Sequence, residues 1–270
     1  MIRLDSEPIV EKIIHRLIRK HIAGTTMDSG LDAARALNGR GMPASLTFLS
    51  SGATDRAKAK YVTSTYCELV RRIARSGING GVHVQMDQIG SLVDEGVAME
   101  NFREIVGVGN RHGIFIWADA GQMLKRMAPE VEAMRGVGIV AGEDGIEYCA
   151  KRLGRGCALK IAFGNSADMA AVAREIDALR GRLGSVVLLS LPDKSIPYAV
   201  KAAGKPGASV EFEFGCGEKR IKSAAKKGAK VSVLVPFGKD WIRYAMSSAP
   251  EGYMRFIAAR LLREANADEI

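Results

Sequence analysis

The stretch ASVEFEFGCGEKRIKSAAKKGAKVSVLVPFGKDWIRYAM, residues 208–246, decides the fold. It reads strand, turn, helix, strand, turn, helix. SVEFEF (209–214) and KVSVLV (230–235) are short runs rich in β-branched and aromatic residues, with apolar positions alternating. Between them lies a lysine-rich helical segment that stops at Gly228, where a C-terminal glycine belongs. Two strands joined by a helix lie parallel in one sheet.

The same unit repeats upstream. Strand candidates are SLTFLS (45–50), VHVQMD (82–87), IFIWAD (114–119), VGIVAG (137–142), CALKIA (157–162) and SVVLLS (185–190). With the first two runs they make eight strands. Most are followed by an amphipathic helical pattern, and Gly77, Gly113 and Gly184 stand at helix ends. The fold class this predicts is α/β, a (β/α)8 barrel. An open dinucleotide-binding sheet would want a glycine-rich turn straight after its first strand. The segment there is SGATDRAKAK, and GVGNRHG (107–113) closes a helix rather than opening one. Two helical segments precede the first strand. The second has Thr26 and Asp28 as N-cap candidates and Gly39 or Gly41 as its stop. The expected organisation is a helical flank over 1–43 and a barrel over 44–270, forming one domain.

The 270 residues are 47% hydrophobic, enough for a large core. No signal peptide and no apolar run of about 18 residues is visible, so no membrane span is expected. The four cysteines stand far apart, which argues against a disulfide framework or a zinc site. Reduced thiols imply a cytoplasmic location, either free or peripheral at a membrane. The net charge is +9, with basic runs at 16–20, 56–60, 71–75, 151–155 and 218–230. These runs read either as solvated helix faces or as a surface for RNA, a ribosome or an anionic lipid. Aromatic residues are only 6% and do not interleave with them, which argues against a single-strand stacking platform.

In such a barrel, chemistry sits at the C-terminal ends of the strands. Polar residues expected there are Gln85, Asp87 and Gln88, then Asp119, Lys160, Asp193, Glu211 and Glu213, and finally Lys239 and Asp240. Lys160 interrupts the apolar run ALKIA, so its ammonium should be buried and paired. Asp119, Glu211 and Glu213 are its candidate partners. A lumen ion pair, a cofactor contact and a Schiff-base amine remain open for it. His83 could face either the helices or the lumen.

These residues resemble a known family. FEFGCG with GAKVSVLVPFGKDWIRYAM is similar to the end of the proline dehydrogenase barrel. VHVQMDQIG resembles that family's VSVKLTQLG segment, FIWADAGQ its strand with an Asp-Ala pair, and CALKIAFG its RLVKGAY strand. The likeness runs in order from about 23 to 251. It implies an FAD enzyme that oxidises proline to pyrroline carboxylate and passes electrons to a quinone.

Carried over position by position, the family's strand-2 lysine becomes Gln85, its aspartate is Asp119 and its strand-5 lysine is Lys160. The flavin-contacting arginine becomes Cys157, and the strand's last tyrosine becomes Phe163. Flavin contacts are thus implied at Cys157, Lys160, Ala162, Phe163 and Asp193. Asp119, Lys160 and Gln85 take the catalytic positions. Substrate contacts fall on Asp119 and on Ser247 and Ser248, which stand where the family has two arginines. Three readings follow: a flavoprotein acting on proline or a related amine, an inactive barrel that binds a partner through its basic surface, and a different barrel enzyme built on Lys160.

Overall fold

The computed structural model describes residues 21–162, 176, 178–179, 181–189, 197, 201 and 207–240. Eight parallel strands close into a barrel in sequence order. They are β1 (Ala44–Phe48), β2 (Gly80–Gln85), β3 (Phe115–Asp119), β4 (Val137–Gly142), β5 (Ala158–Ala162), β6 (Ser185–Leu189), β7 (Ala208–Glu213) and β8 (Val231–Phe237). β8 pairs with β1, and this shuts the sheet. The chain is a (β/α)8 barrel. All eight expected strands lie within two residues of their sequence-read bounds.

The helices start where the sequence offers a cap. The helix α1 (Met27–Asn38) begins at Thr26, whose hydroxyl accepts from the Ser29 N–H at 3.2 Å. Ser29 Oγ in turn accepts from the Thr26 N–H. This reciprocal cap satisfies two of the orphan donors of the first turn. Asp55 caps α2 (Arg56–Arg75), and Asp94 caps α3 (Glu95–His112). α3 stops at Gly113, whose left-handed φ of 68° suits glycine. The remaining described helices are α4 (Leu124–Ala133), α5 (Ile146–Arg152) and α6 (Glu218–Lys226).

The main core lies between strands and helices. Leu46, Val82, Ile116, Ile139, Leu159, Val186 and Val210 point outward into it and meet Leu69, Phe102, Met127 and Ile146. Each such fully buried side chain contributes about 1.5–3 kcal/mol of transfer free energy. α1 has an unusual place: it packs on β1 and β8, over the seam. Gly30 makes that approach possible, since a Cβ there would strike the Phe237 ring. The segment before α1 is tied to the same strand, with the Ala23 N–H donating to Pro236 O at 2.9 Å.

Candidate functional site

Strand alternation and register divide the barrel residues into two sets. One set runs through Ser45, Gly81, Phe115 and, one step on, through Gln85, Asp119, Val140, Lys160 and Val187. It continues on β7 with Ser209, Glu211 and Glu213, and on β8 with Ser232 and Leu234. These residues face the lumen. Trp117, Val140, Ala158 and Val187 form a small apolar cluster there, separate from the main core. Gly138 lies beside Trp117 because a Cβ at that position would run into the indole ring.

At the lumen centre Lys160 Nζ donates to Glu211 Oε2 at 2.5 Å, and the lysine side chain is 0% exposed. Glu211 Oε1 also accepts from Ser45 Oγ at 2.7 Å and, more weakly, from Ser232 Oγ at 3.4 Å. The ammonium stands 4.5 Å above the Trp117 ring, within cation–π range. Of the three candidate partners, Glu211 is the one that pairs with it. Burial pulls the Lys160 ammonium below the usual lysine range, while Glu211 and, through space, Asp119 pull it back up. Its proton is engaged by a carboxylate and its nitrogen is sealed from solvent. A Schiff-base role needs the reverse, a free amine that a carbonyl can reach.

A second acid–base pair lies at the mouth. His83 faces the lumen, and its Nε2 lies 3.3 Å from Asp119 Oδ2. His83 is buried, but the Asp119 side chain is 39% exposed, so its carboxylate reaches the mouth. With Nε2–H donating to Asp119, Nδ1 is left as an acceptor; it is buried and has no partner among the described residues. Gln85, the register neighbour of Asp119, is also held in place. The Gln88 amide donates to Gln85 Oε1 at 2.6 Å. Gln88 Oε1 accepts from the Tyr66 hydroxyl at 2.9 Å, which also lies 3.3 Å from Phe48 O. Burial raises the Tyr66 phenol far above its usual pKa, so it stays a donor. This chain fixes Gln85 Oε1 as an acceptor and leaves the Gln85 NH2 for a ligand.

Other expected residues go elsewhere. Cys157 precedes β5 and lies with Leu159 and Ile161 in the outer core. It differs from Lys160 by three positions, so strand alternation turns it away from the lumen. Asp240 accepts from the Ser51 N–H and ties the β8 exit to the β1 loop. Ala162 faces the lumen at the β5 exit. Phe163, Asp193, Ser247 and Ser248 lie outside the described residues. Sequence reading missed the roles of Ser45, Ser232, Tyr66 and Gln88. Ser45 could have been found, since a polar residue at an inward position of a barrel strand needs a lumen partner. No group of three or more potential metal ligands occurs among the described residues. No described helix is long and apolar enough to cross a membrane.

No family model matches the chain. Curated relatives do. Proline dehydrogenase 1 of Bacillus subtilis (strain 168) is 24% identical over 259 residues, covering 86% of this chain and 86% of that protein. Proline dehydrogenase of Deinococcus radiodurans is 22% identical over 277 residues, covering 90% and 88%. The chain is thus similar to proline dehydrogenases over most of its length. Among solved structures, proline utilization A from Bdellovibrio bacteriovorus, inactivated by N-propargylglycine, superposes with a TM-score of 0.71 at 14% identity. The match covers 91% of this chain and 34% of that one, so this chain spans about a third of its length. A mutant of Bradyrhizobium japonicum proline utilization A gives 0.63 at 16% identity, with 85% and 30% covered. These two likenesses carry the fold.

For a flavin ring system, the described mouth offers small and apolar residues at three strand exits. Gly142, Ala162 and Leu189 are register neighbours at the exits of β4, β5 and β6. Two small residues stand beside a leucine in this wall. A planar ring stacks on such a wall without leaving a buried polar group unpaired.

Proposed function

We propose that this chain is a flavin-dependent oxidoreductase that oxidises proline or a related amine. The observation that carries the reading is Asp119. Its carboxylate is oriented by His83 Nε2 and is substantially exposed at the mouth. The names of the curated relatives point to the same chemistry.

Oxidation of an amine to an imine removes two electrons and two protons. One proton leaves with the electrons, as a hydride from the carbon beside nitrogen; the other leaves from nitrogen. A bound FAD would supply the hydride acceptor, later reoxidised by a quinone or another acceptor. The chain's own residues do the rest. Asp119 holds the substrate ammonium by a charge-assisted hydrogen bond and orients it. His83 fixes the carboxylate, which is placed to take the proton that nitrogen releases. Gln85 presents its NH2 to an acceptor atom of the substrate. Lys160 and Glu211 form the lumen floor beneath.

The alternative of an inactive barrel with a nucleic-acid surface has less support. Lys60, Arg71, Arg72, Arg75, Lys151 and Lys222, all from the basic runs, sit in ion pairs with neighbouring carboxylates. Much of the positive charge is thus matched locally.

The test is the absorbance spectrum of the purified protein, before and after FAD is added and the excess removed. Near-equimolar bound flavin that bleaches on addition of an amine substrate is the expected result. A colourless protein that retains no FAD would sink the reading.

A further inference from the structure

We propose that Tyr66 and Gln88 are positioning residues for the ligand site, and that the Tyr66 hydroxyl decides which end of the Gln85 amide faces the mouth. Tyr66 lies on α2, in the core outside the sheet. The inference rests on the amine-oxidising reading above and deepens it. The amide end that is presented selects ligands that bring an acceptor beside their ammonium.

The Gln85–Gln88 contact does not fix its own direction. One amide donates and the other accepts, and with both amides turned over the same bond forms the other way round. A group beyond them has to break that symmetry. The Tyr66 hydroxyl lies 2.9 Å from Gln88 Oε1 and 3.3 Å from Phe48 O. A phenol carries one proton, and the nearer acceptor takes the larger share of it. Burial keeps that proton on the phenol. The Gln85 backbone N–H acts on the phenol oxygen as a donor, so it competes with a reversed Gln88 NH2 for the lone pairs there. Gln88 Oε1 therefore turns to Tyr66, and the Gln88 NH2 turns to Gln85 Oε1 at 2.6 Å. The Gln85 NH2 is left toward the mouth, beside its register neighbour Asp119.

Each member of the chain is held from outside. The Tyr66 ring meets Phe48 edge-on at 6.3 Å, and Phe48 packs on Phe237 at 5.7 Å. The turn that carries Gln88 is closed by its own N–H to Gln85 O at 3.2 Å and by the Ile89 N–H to Met86 O at 3.3 Å. From α3, the Asn101 amide donates to Ile89 O at 2.9 Å. Tyr66 and Gln88 are both buried, so water does not compete for the amide. Without the hydroxyl, Gln88 Oε1 loses its donor while the Phe48 carbonyl still asks for one. Reversing both amides then answers the Phe48 carbonyl and turns the Gln85 oxygen to the mouth.

The experiment is titration calorimetry on the full purified chain, with and without FAD. The probes are L-proline, which brings an acceptor beside its ammonium, and pyrrolidine, which brings none. Tyr66→Phe should lower the affinity ratio of proline to pyrrolidine about tenfold, the scale of one hydrogen bond. Gln85→Met should lower it by a similar factor. Adding Tyr66→Phe to Gln85→Met should change the ratio no further, because the phenol acts through that amide. Gln88→Met keeps the phenol and should also lower the ratio; it carries the test if Tyr66→Phe does not fold. A merely structural role for Tyr66 would weaken both ligands alike. A ratio that stays at the parent value therefore overturns the proposal, as do effects that multiply in the double variant. Failure of the parent to bind either ligand overturns this inference and the reading beneath it together. Otherwise the two fail separately. A chain that shows these ratio changes but retains no FAD loses the oxidoreductase reading alone. A flavin-loaded chain that oxidises an amine, with a ratio untouched by Tyr66→Phe and Gln88→Met, loses this inference alone.

Discussion

The lumen holds two acid–base pairs that differ chiefly in their access to water. Lys160–Glu211 is sealed: both side chains are almost without solvent contact, and Ser45 and the Trp117 face complete their surroundings. His83–Asp119 has one buried partner and one that reaches the mouth. A sealed pair of fixed charges can hold a barrel in register, but it has no position left for a ligand. A half-open pair contributes less to stability and keeps an oxygen available. The division of labour follows from depth along the strands.

The largest expected effect comes from breaking the sealed pair. Glu211→Gln leaves the Lys160 ammonium buried without a carboxylate, which should cost about 3–5 kcal/mol in urea unfolding. Replacing both, as Lys160→Met with Glu211→Leu, should recover most of that loss, because the pair's desolvation penalty disappears with it. If the single variant is as stable as the parent, the pair does not hold the lumen as described.

The open pair should respond in the opposite way. Asp119→Asn should change stability by less than about 1 kcal/mol, as expected for a partly solvated pair. It should lower amine oxidation by the flavin-loaded chain about a hundredfold, the usual scale for a positioned acid–base group. A variant that unfolds readily but keeps its turnover would reverse the assignment of the two pairs.

A smaller effect concerns pH. Burial holds the folded Lys160 pKa below its ordinary value of 10.5. Between those two values the unfolded chain binds more protons, so this lysine makes stability rise with pH toward 10.5. Two thiols, Cys149 buried and Cys216 half-buried, act in the other direction. Cys149 and Cys216 are each pushed up to about 11 from 9.0, so their stabilisation is present below 9 and lost as pH rises through about 11. The difference in stability between parent and the Lys160/Glu211 double variant isolates the lysine. It should shift in favour of the parent as pH rises from neutral toward 10.5. A flat difference would mean that burial does not perturb Lys160.

Much of this was legible in the sequence because strands in a barrel write themselves as short apolar runs. VGIVAG coincides with β4 residue for residue. The buried, paired state of Lys160 followed from one lysine in an apolar run, but the choice of Glu211 did not. β5 and β7 are separated by β6, so the contact crosses the lumen and depends on closure of the whole sheet. His83 stayed ambiguous for a related reason, since only register with Trp117 and Asp119 turns it inward. Cys157, given a flavin contact by resemblance, packs with Leu159 and Ile161 in the outer core, as alternation from Lys160 implies. The chain from Tyr66 through Gln88 to Gln85 was hidden because it joins a helix, a loop and a strand end.

The position of α1 has a consequence for how the molecule is made. Its apolar face is completed by β8, roughly 190 residues later in the chain. At about 5–20 residues per second, that partner emerges some ~10–40 s after α1 has been synthesised. During that interval Leu31, Ala34 and Leu37 have no β8 to cover them. The seam is therefore the last joint to close during chain elongation. A circular permutant that begins at β8 and runs on through α1 would shorten that wait, and with it the period in which a nascent barrel is open to misassembly.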